Sequence, residues 1–343
     1  MVPFDRLVKV ILGKADSLGR VLSDEQWRQM YAIAKRQGMT ALCYQGILRL
    51  IPEQRPGEQI MEMWTATAQS TRIINETLHS QCAELTKIFE KLGFGCCILK
   101  GVAYSRYYPD PGLRHCGDLD VWVNGDVVKI VKALRKAGYR TTTPLYHECE
   151  AALFKNSGVD VHFRPIKMFN PFYNARLQKF FASCKEECMA EKTTEGYCTP
   201  TLRFDLVHCA AHLFRHLIGE GVSCYQLIDC YSILIKSDAQ QRAEACKVLN
   251  EAGMGRFCSQ LMRVLQIVCS LDEEHMLCPP SDKKEAFLGE IAGKNSGEVL
   301  SSRERTARHL RYVKEYPGEL LWAPFSRVWQ FLWRNWTKIK IWI

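Results

Sequence analysis

The chain has 343 residues, 47% hydrophobic and 24% charged, which is the composition of a folded globular protein and excludes a disordered or fibrous chain. The length suggests about two domains and is ample for an ordinary hydrophobic core. Because no run of about 18 apolar residues is present, the sequence predicts no membrane-spanning helix. Asp5, Arg6 and Lys9 interrupt the first apolar residues, so we expect no secretory signal and a cytoplasmic protein.

Cysteine is abundant, with 16 residues, but its spacing contains no C-x-x-C pair. Cys184 and Cys188 are four positions apart, and no second pair nearby would complete a zinc site. Thiols stay reduced in a chain without a secretion signal. We therefore predict that the cysteines are free and mostly buried.

Residues 1–94 show helical patterns and contain nothing that demands chemistry. Ser23 followed by Gln26 predicts a capping box at the start of one helix. A longer helical pattern extends from about residue 58 to 92, and we expect it to be broken once. This part of the chain is predicted to form a helical platform for the segment that follows.

Residues 117–123, with the sequence G-D-L-D-V-W-V, alternate in the way that a strand does. Asp118 and Asp120 therefore share one face of the strand. Two adjacent carboxylates repel each other unless a cation lies between them, and oxygen ligands suit magnesium. The motif by itself is more typical of a strand end that shows two aspartates to water.

The surrounding elements favour the first interpretation. An apolar run at 95–99 predicts a buried strand that ends at a Lys-Gly turn, and residues 125–137 form an amphipathic helical pattern. A turn at 156–158 leads into a second aspartate-bearing strand, in which Asp160 and His162 share a face.

At this point the chain resembles a known family. The resemblance is carried by the motifs L-K-G (99–101), Y-P-D-P-G-L-R (108–114), G-D-L-D-V-W-V (117–123) and V-D-V-H-F-R (159–164). They are similar to the little-characterised nucleotidyltransferase family of the polymerase-beta-like superfamily, to which aminoglycoside nucleotidyltransferases also belong. The resemblance implies an α+β fold, with a small mixed-sheet nucleotidyltransferase core embedded in mostly helical N- and C-terminal regions.

The resemblance also implies a reaction. Members of the superfamily use three carboxylates and two Mg²⁺ ions to move a nucleoside monophosphate from a nucleoside triphosphate to an acceptor. Asp118, Asp120 and Asp160 match the catalytic, metal-binding carboxylates, with Asp160 on the acceptor side. ATP is the expected donor, and the acceptor is a hydroxyl or amine of a small molecule, a protein or a glycan.

Four further residues match nucleotide-binding positions. Lys100 and Arg114 are expected to contact the triphosphate, and Gly101 would let the backbone approach a phosphate. Gly117 belongs to the same motif as the metal-binding pair. The superfamily usually has Gly-Ser after its first strand, whereas this chain has Gly101-Val102, so Lys100 is expected to substitute.

Helical patterns return after residue 165, with Thr201 starting a strong helix. His208, His212 and His216 are spaced by four and line up on one face. They are interpreted as hydrogen-bonded interfacial residues, as a row lining the active cleft or, least favoured, as a metal site. Asp229 lies within an apolar helix and needs a partner, either in a supporting role at the site or in a structural hydrogen bond.

Residues 301–343 contain nine of the Lys/Arg residues, only three acidic residues and five of the eight tryptophans. A helix here would carry an apolar stripe opposite a basic side. The stripe comprises Phe325, Trp329, Leu332, Trp333 and Trp336, and the basic side comprises Arg327, Arg334 and Lys338. This pattern fits a helix on an anionic membrane, on a partner or on the protein's own body. We favour docking on the body, because most amphipathic helices are core elements.

These observations divide the chain into four regions, which are 1–78 (helical), 79–165 (catalytic core), 166–300 (helical domain) and 301–343 (basic, Trp-rich helix). The favoured function is an enzyme, because all three carboxylates are present. The alternative is a catalytically degenerate protein that binds nucleotide or scaffolds a partner. A nucleic-acid role is weaker, since the net charge of +9 permits RNA binding but no RNA-binding module is recognisable.

Overall fold

A computed structural model describes residues 2–282 and 300–342, so residues 283–299 of the predicted helical domain lie outside the described residues. Helices surround a five-stranded mixed sheet, which confirms the predicted α+β class. The α-helices, numbered along the chain, are α1 Phe4–Ile11, α2 Asp24–Arg36, α3 Thr40–Arg49, α4 Glu58–Lys91, α5 Lys100–Ser105, α6 Val127–Lys136, α7 Pro171–Ala190, α8 Leu202–Gly219, α9 Cys224–Leu234, α10 Ala239–Glu251, α11 Gly255–Cys269, α12 Ser302–Tyr312, α13 Pro317–Leu320 and α14 Ala323–Trp342.

The sheet has the strand order β1-β2-β5-β4-β3. Its strands are β1 Cys96–Leu99, β2 Leu119–Val123, β3 Arg140–Thr141, β4 Glu148–Ala152 and β5 Val159–His162. Only β2 and β5 pair in parallel, and the other pairs in this sheet are antiparallel. Parallel strands need a crossover, which here runs through α6 and the hairpin partner β4.

The two faces of the sheet have different partners. Leu119, Val121 and Val123 point to one face and pack with residues of α4 and α6. Trp122 points to the other face, where its ring stacks on Phe204 of α8 with centroids 5.5 Å apart. The side chains that alternate with the core residues of β2 therefore face the helices that follow the sheet.

The N-terminal helices meet the sequence expectations except at one point. Ser23 and Gln26 form the predicted capping box at the start of α2. However, α4 is one uninterrupted helix, so the predicted break is wrong. It contains neither Gly nor Pro, which are common causes of a kink, and its two halves pack in different clusters, with Trp64 among α1–α3 and Phe89 beneath the sheet.

All sixteen cysteines are free, and fourteen of them are buried, as the sequence predicted. No helix in the described part of the chain is long and apolar enough to cross a membrane.

The terminal helix α14 packs differently from the favoured expectation. Trp329 and Trp333 of the predicted stripe contact Tyr146, but Phe325, Leu332 and Trp336 are each more than half exposed, so the predicted docking of the stripe as a whole is wrong. The helix instead buries a narrower arc that contains Thr337 and Ile341. Trp333 is half-buried and meets the Tyr146 ring edge-on.

Asn75 holds the loop that precedes β2 against α4. Its Nδ2 donates to the carbonyls of Gly112 and Arg114 at 2.9 and 2.8 Å. The Asn75→Ala variant leaves both carbonyls without this donor, so we expect it to lower the free energy of unfolding by about 1–3 kcal/mol. Urea denaturation measures this, with Ser70→Ala on the exposed side of α4 as a control that stays within about 0.5 kcal/mol. Equal stability of the two variants would contradict this role.

Candidate active site

The parallel pairing of β2 with β5 sets Asp120 directly opposite Asp160. His162 lies two residues further along β5 and therefore on the same face. Ligand atoms from these three side chains lie within 4.8 Å of one another, the distance range of groups that share a metal ion. His162 was predicted to share a face with Asp160 but was not among the predicted metal ligands.

Asp120 is the buried centre of the group, with 3% of its surface exposed. Its Oδ1 accepts from Nζ of Lys100 at 2.6 Å and from Nε2 of His162 at 2.7 Å. Burial by itself raises the pKa of this carboxyl, but the two donors outweigh burial and hold the pKa well below its usual range. Burial likewise lowers the pKa of Lys100, whereas Asp120 and Asp118 raise it further, so both partners stay charged.

Lys100 occupies the junction between β1 and α5 with an unusual backbone. Its φ of +45° lies in the left-handed region, which a non-glycine residue adopts only at a cost of about 1–3 kcal/mol. Such strain persists where the surrounding contacts over-determine the conformation, and the ion pair with Asp120 is one such contact.

Asp160 has the opposite electrostatic environment. Burial and the charges of Asp120 and Glu148 raise its pKa to about 7. Glu148 lies on β4 beside His162, at 3.6 Å from its Nδ1. Crowding of carboxylates on one face is relieved by a bound cation, and carboxylate oxygens are the ligands that a hard divalent ion prefers. These residues therefore fit the metal that the sequence analysis expected.

Asp118 and Gly117 lie at the solvent side of the group. Asp118 precedes β2, is exposed and does not belong to the cluster of ligand atoms within 4.8 Å. The charge of Asp120, followed by burial, raises its pKa, so the two carboxylates are close enough to interact. Asp118 and Asp160 both line a cavity of about 760 Å³. Gly117 is exposed, and no atom would meet a side chain added there within 4 Å.

Arg114 and Gly101 are placed differently from the sequence expectation. The Arg114 guanidinium is buried and binds Asp229 through Nε at 3.1 Å and Nη2 at 2.6 Å. Its Nη1 donates to the carbonyl of His115. A carbon added to Gly101 would lie 3.4 Å from this guanidinium, so Gly101 faces Arg114. The geometry therefore disagrees with Arg114 as a triphosphate contact, because its donors are engaged inside the protein.

The same contact accounts for Asp229. Its carboxylate receives both the Arg114 fork and the hydroxyl of Tyr108, at 2.7 Å. This pair ties the loop before β2 to α9, behind the candidate site. The apolar surroundings of Asp229 signalled the need for a partner, but the sequence could not reveal that the partner lies 115 residues away.

The histidine row divides between two of the proposed interpretations. His208 is buried, accepts from the Tyr104 hydroxyl at 2.7 Å through Nδ1 and contacts the Pro165 carbonyl at 3.3 Å through Nε2, so it is structural. His212 and His216 contact each other at 3.1 Å and line the cleft. Among residues 2–282 and 300–342, the group of potential metal ligands is the one at Asp120, and it does not include the row.

A second cavity, of about 430 Å³, adjoins the cluster and is lined by Lys100, Asp160 and His162. Besides Glu148 and Glu220, its lining includes four basic residues that the sequence did not place at the site. They are Lys167, Arg215, Arg305 and Arg327. Burial, followed by the charge of Arg215, lowers the pKa of Lys167 to about 8. Arg305 and Arg327 belong to α12 and α14, which are distant in sequence from the aspartates.

The fold and the site define a class, which is an α+β protein whose parallel strand pair carries a carboxylate cluster beside a basic cavity. A family model described as uncharacterised nucleotidyltransferase matches residues 23–269, more than two thirds of the chain. The chain belongs to this family, which supports nucleotidyl transfer as its activity and a nucleoside triphosphate as its substrate. No curated protein matches the chain significantly.

The buried ion pair yields a stability prediction. Asp229→Ala leaves the Arg114 guanidinium buried without its counter-charge, so we expect a loss of about 3–5 kcal/mol in the free energy of unfolding. Urea denaturation measures the loss. The control is Asp272→Ala, which removes the exposed ion pair with Lys14 and should cost less than about 1 kcal/mol. Near wild-type stability of Asp229→Ala would show that Arg114 is free to serve another role.

Proposed function

We propose that the protein is a magnesium-dependent nucleotidyltransferase of the polymerase-beta-like superfamily. It moves a nucleoside monophosphate from a nucleoside triphosphate, with ATP as the expected donor, to a hydroxyl or amine of an acceptor. The observation that carries the proposal is the register of β2 and β5, which sets Asp120 against Asp160 with His162 beside them. Such a carboxylate pair beside a basic cavity is suited to a substrate with a metal-bound triphosphate.

Asp118, Asp120 and Asp160 would hold two Mg²⁺ ions in this proposal. The bound ions supply charge neutralisation for the attacking and leaving oxygens. Lys100 keeps Asp120 ionised, and His162 fixes the orientation of its carboxylate by a hydrogen bond. The acceptor oxygen or nitrogen forms a bond to the α-phosphorus, the bond to the β-phosphate oxygen breaks, and pyrophosphate leaves.

Asp160 is proposed to receive the proton of the acceptor. It lines both cavities, so it is reachable from the side of either substrate. A bound metal ion would keep the Asp160 carboxylate ionised, and an ionised carboxylate within reach of the acceptor can accept its proton.

The basic cavity is proposed to hold the triphosphate, because Lys167, Arg215 and Arg327 face it. Lys100 and Gly117 remain proposed nucleotide-binding residues, with Gly117 offering open backbone, whereas Gly101 faces Arg114. We assign Arg114 a positioning role, because its ion pair with Asp229 fixes the loop that precedes β2.

One observation favours a second function, a degenerate nucleotide-binding protein. The ammonium of Lys100 lies 2.6 Å from Asp120, where it supplies positive charge without a metal ion. In a degenerate member this lysine would replace the metal, and nucleotide binding would be independent of Mg²⁺.

The deciding experiment incubates purified protein with Mg²⁺, each labelled nucleoside triphosphate and a cell extract, and measures pyrophosphate release and a labelled acceptor. We expect Asp118→Asn and Asp160→Asn each to lower transfer at least about 100-fold, because each removes charge at the reacting phosphate. Asp120→Asn is a poorer test, since it leaves the buried Lys100 ammonium without its counter-charge and can affect folding. Asp16→Asn, an exposed carboxylate in the N-terminal region, is the matched control and should retain full transfer.

The two functions differ in their outcome. Transfer that EDTA abolishes supports the enzyme. Nucleotide binding that is unchanged by EDTA, without any pyrophosphate release, supports the degenerate protein. Near-normal transfer by both Asp118→Asn and Asp160→Asn would show that these carboxylates do not carry the reaction.

A further inference from the structure

The terminal helix α14 presents its most apolar face outward. Seven large hydrophobic side chains on this helix are each more than half exposed, from 53% for Trp336 to 77% for Trp342. We call them the outer face, and they are Phe325, Val328, Phe331, Leu332, Trp336, Ile339 and Trp342. A contiguous apolar surface of this kind marks a site of interaction.

The docking of α14 on the body uses a different side of the helix. Thr337 and Ile341 are buried, and Gln330 accepts from Nζ of Lys167 at 2.7 Å. The rings of Trp329 and Trp333 meet Tyr146 edge-on, at 4.7 and 5.7 Å between centroids. The outer face therefore takes no part in the contacts by which α14 packs on the rest of the protein.

Charge on α14 has one sign. The helix carries four basic residues and no Asp or Glu between 323 and 342. At 100° per residue, Arg334 and Lys338 fall within an arc of about 40° on one border of the outer face. Lys340 lies on the other border, with its Nζ 3.9 Å from the Trp336 ring. The outer face is thus apolar apart from Asn335 and is cationic along both edges.

We propose that the outer face of α14 binds the surface of a lipid bilayer that contains anionic lipids. Apolar and aromatic side chains that enter the headgroup boundary, with lysine and arginine beside them at the level of the phosphates, form the arrangement of an interfacial helix. The basic edges are complementary to an anionic surface. A second copy of this chain is a less suitable occupant, because it would bring the same basic edges together. A protein partner would need an acidic rim to match these edges.

The position of α14 links this surface to the candidate active site. Arg327 and Gln330 line the same cavity as Asp160 and His162. One helix therefore separates the outer face from the cavity. Since a helix is only about 10–12 Å across, binding of the outer face would bring the candidate site next to the lipid surface.

The test is co-sedimentation of the full chain with vesicles in the absence of nucleotide, so its result is independent of the transfer reaction. Vesicles of phosphatidylcholine alone are compared with vesicles in which about 30% of the lipid is phosphatidylglycerol, which gives them an anionic surface. We expect binding to the anionic vesicles, and we expect 0.5 M salt to weaken it, since salt at roughly that concentration screens surface charge.

Two variants and one control locate the binding. The double variant Phe331→Ser/Leu332→Ser changes exposed residues, so it should fold normally while losing at least about tenfold in vesicle affinity. Arg334→Glu/Lys338→Glu should lose binding to the anionic vesicles, because the charge reversal removes the electrostatic attraction to their surface. The control is Ile73→Ser/Ile74→Ser, which removes two exposed apolar residues from α4 and should bind as the wild type does.

A thermal melt by circular dichroism verifies that each variant is folded. Absence of binding to anionic vesicles overturns the proposal, and so does equal binding by the wild type and Phe331→Ser/Leu332→Ser. A wild-type dimer in light scattering that this double variant dissociates, together with no vesicle binding, would assign the outer face to a second copy and also overturn it.

Discussion

The carboxylate of Asp120 lies buried between an ammonium and an imidazole, and this contact joins the three segments that carry the candidate chemistry. Lys100 comes from the end of β1, Asp120 from β2 and His162 from β5. A lone carboxylate at this depth would take up a proton, whereas two donors on one oxygen keep it ionised. The adjacent Asp160 shifts the other way, and the pair forms a cluster that can accept a cation.

The helical part of the chain supports this cluster through further buried polar contacts. Arg114 is paired with Asp229 of α9, and Arg106 is paired with Asp205 of α8 at 2.6 Å. Both arginines belong to the segment between β1 and β2, so the loop that leads to the carboxylates is fixed to two helices. Replacing one member of such a pair leaves a buried charge alone, which is why these contacts bear on stability more than exposed ion pairs do.

The C-terminal helices complete the site from the opposite direction. They supply Arg305 and Arg327 to the basic cavity, although they follow the carboxylates by more than 140 residues. On α14 the side that faces the cavity is polar and the side that faces outward is apolar and edged with lysine and arginine. A proposed triphosphate site and a proposed lipid-binding surface are therefore two sides of one helix.

The sequence by itself determined the local helices and strands and the position of the carboxylates on those strands. Strand alternation, capping residues and glycine turns act over only a few residues. Ser23, Asp120 and Asp160 were all predicted to lie where the structure has them, in the expected α+β class. The tertiary structure alone decided which residues meet. It engaged Arg114 with Asp229, brought His162 to Asp120 and turned the apolar stripe of α14 outward, because each of these outcomes depends on partners that are remote in the chain and carry no local periodicity.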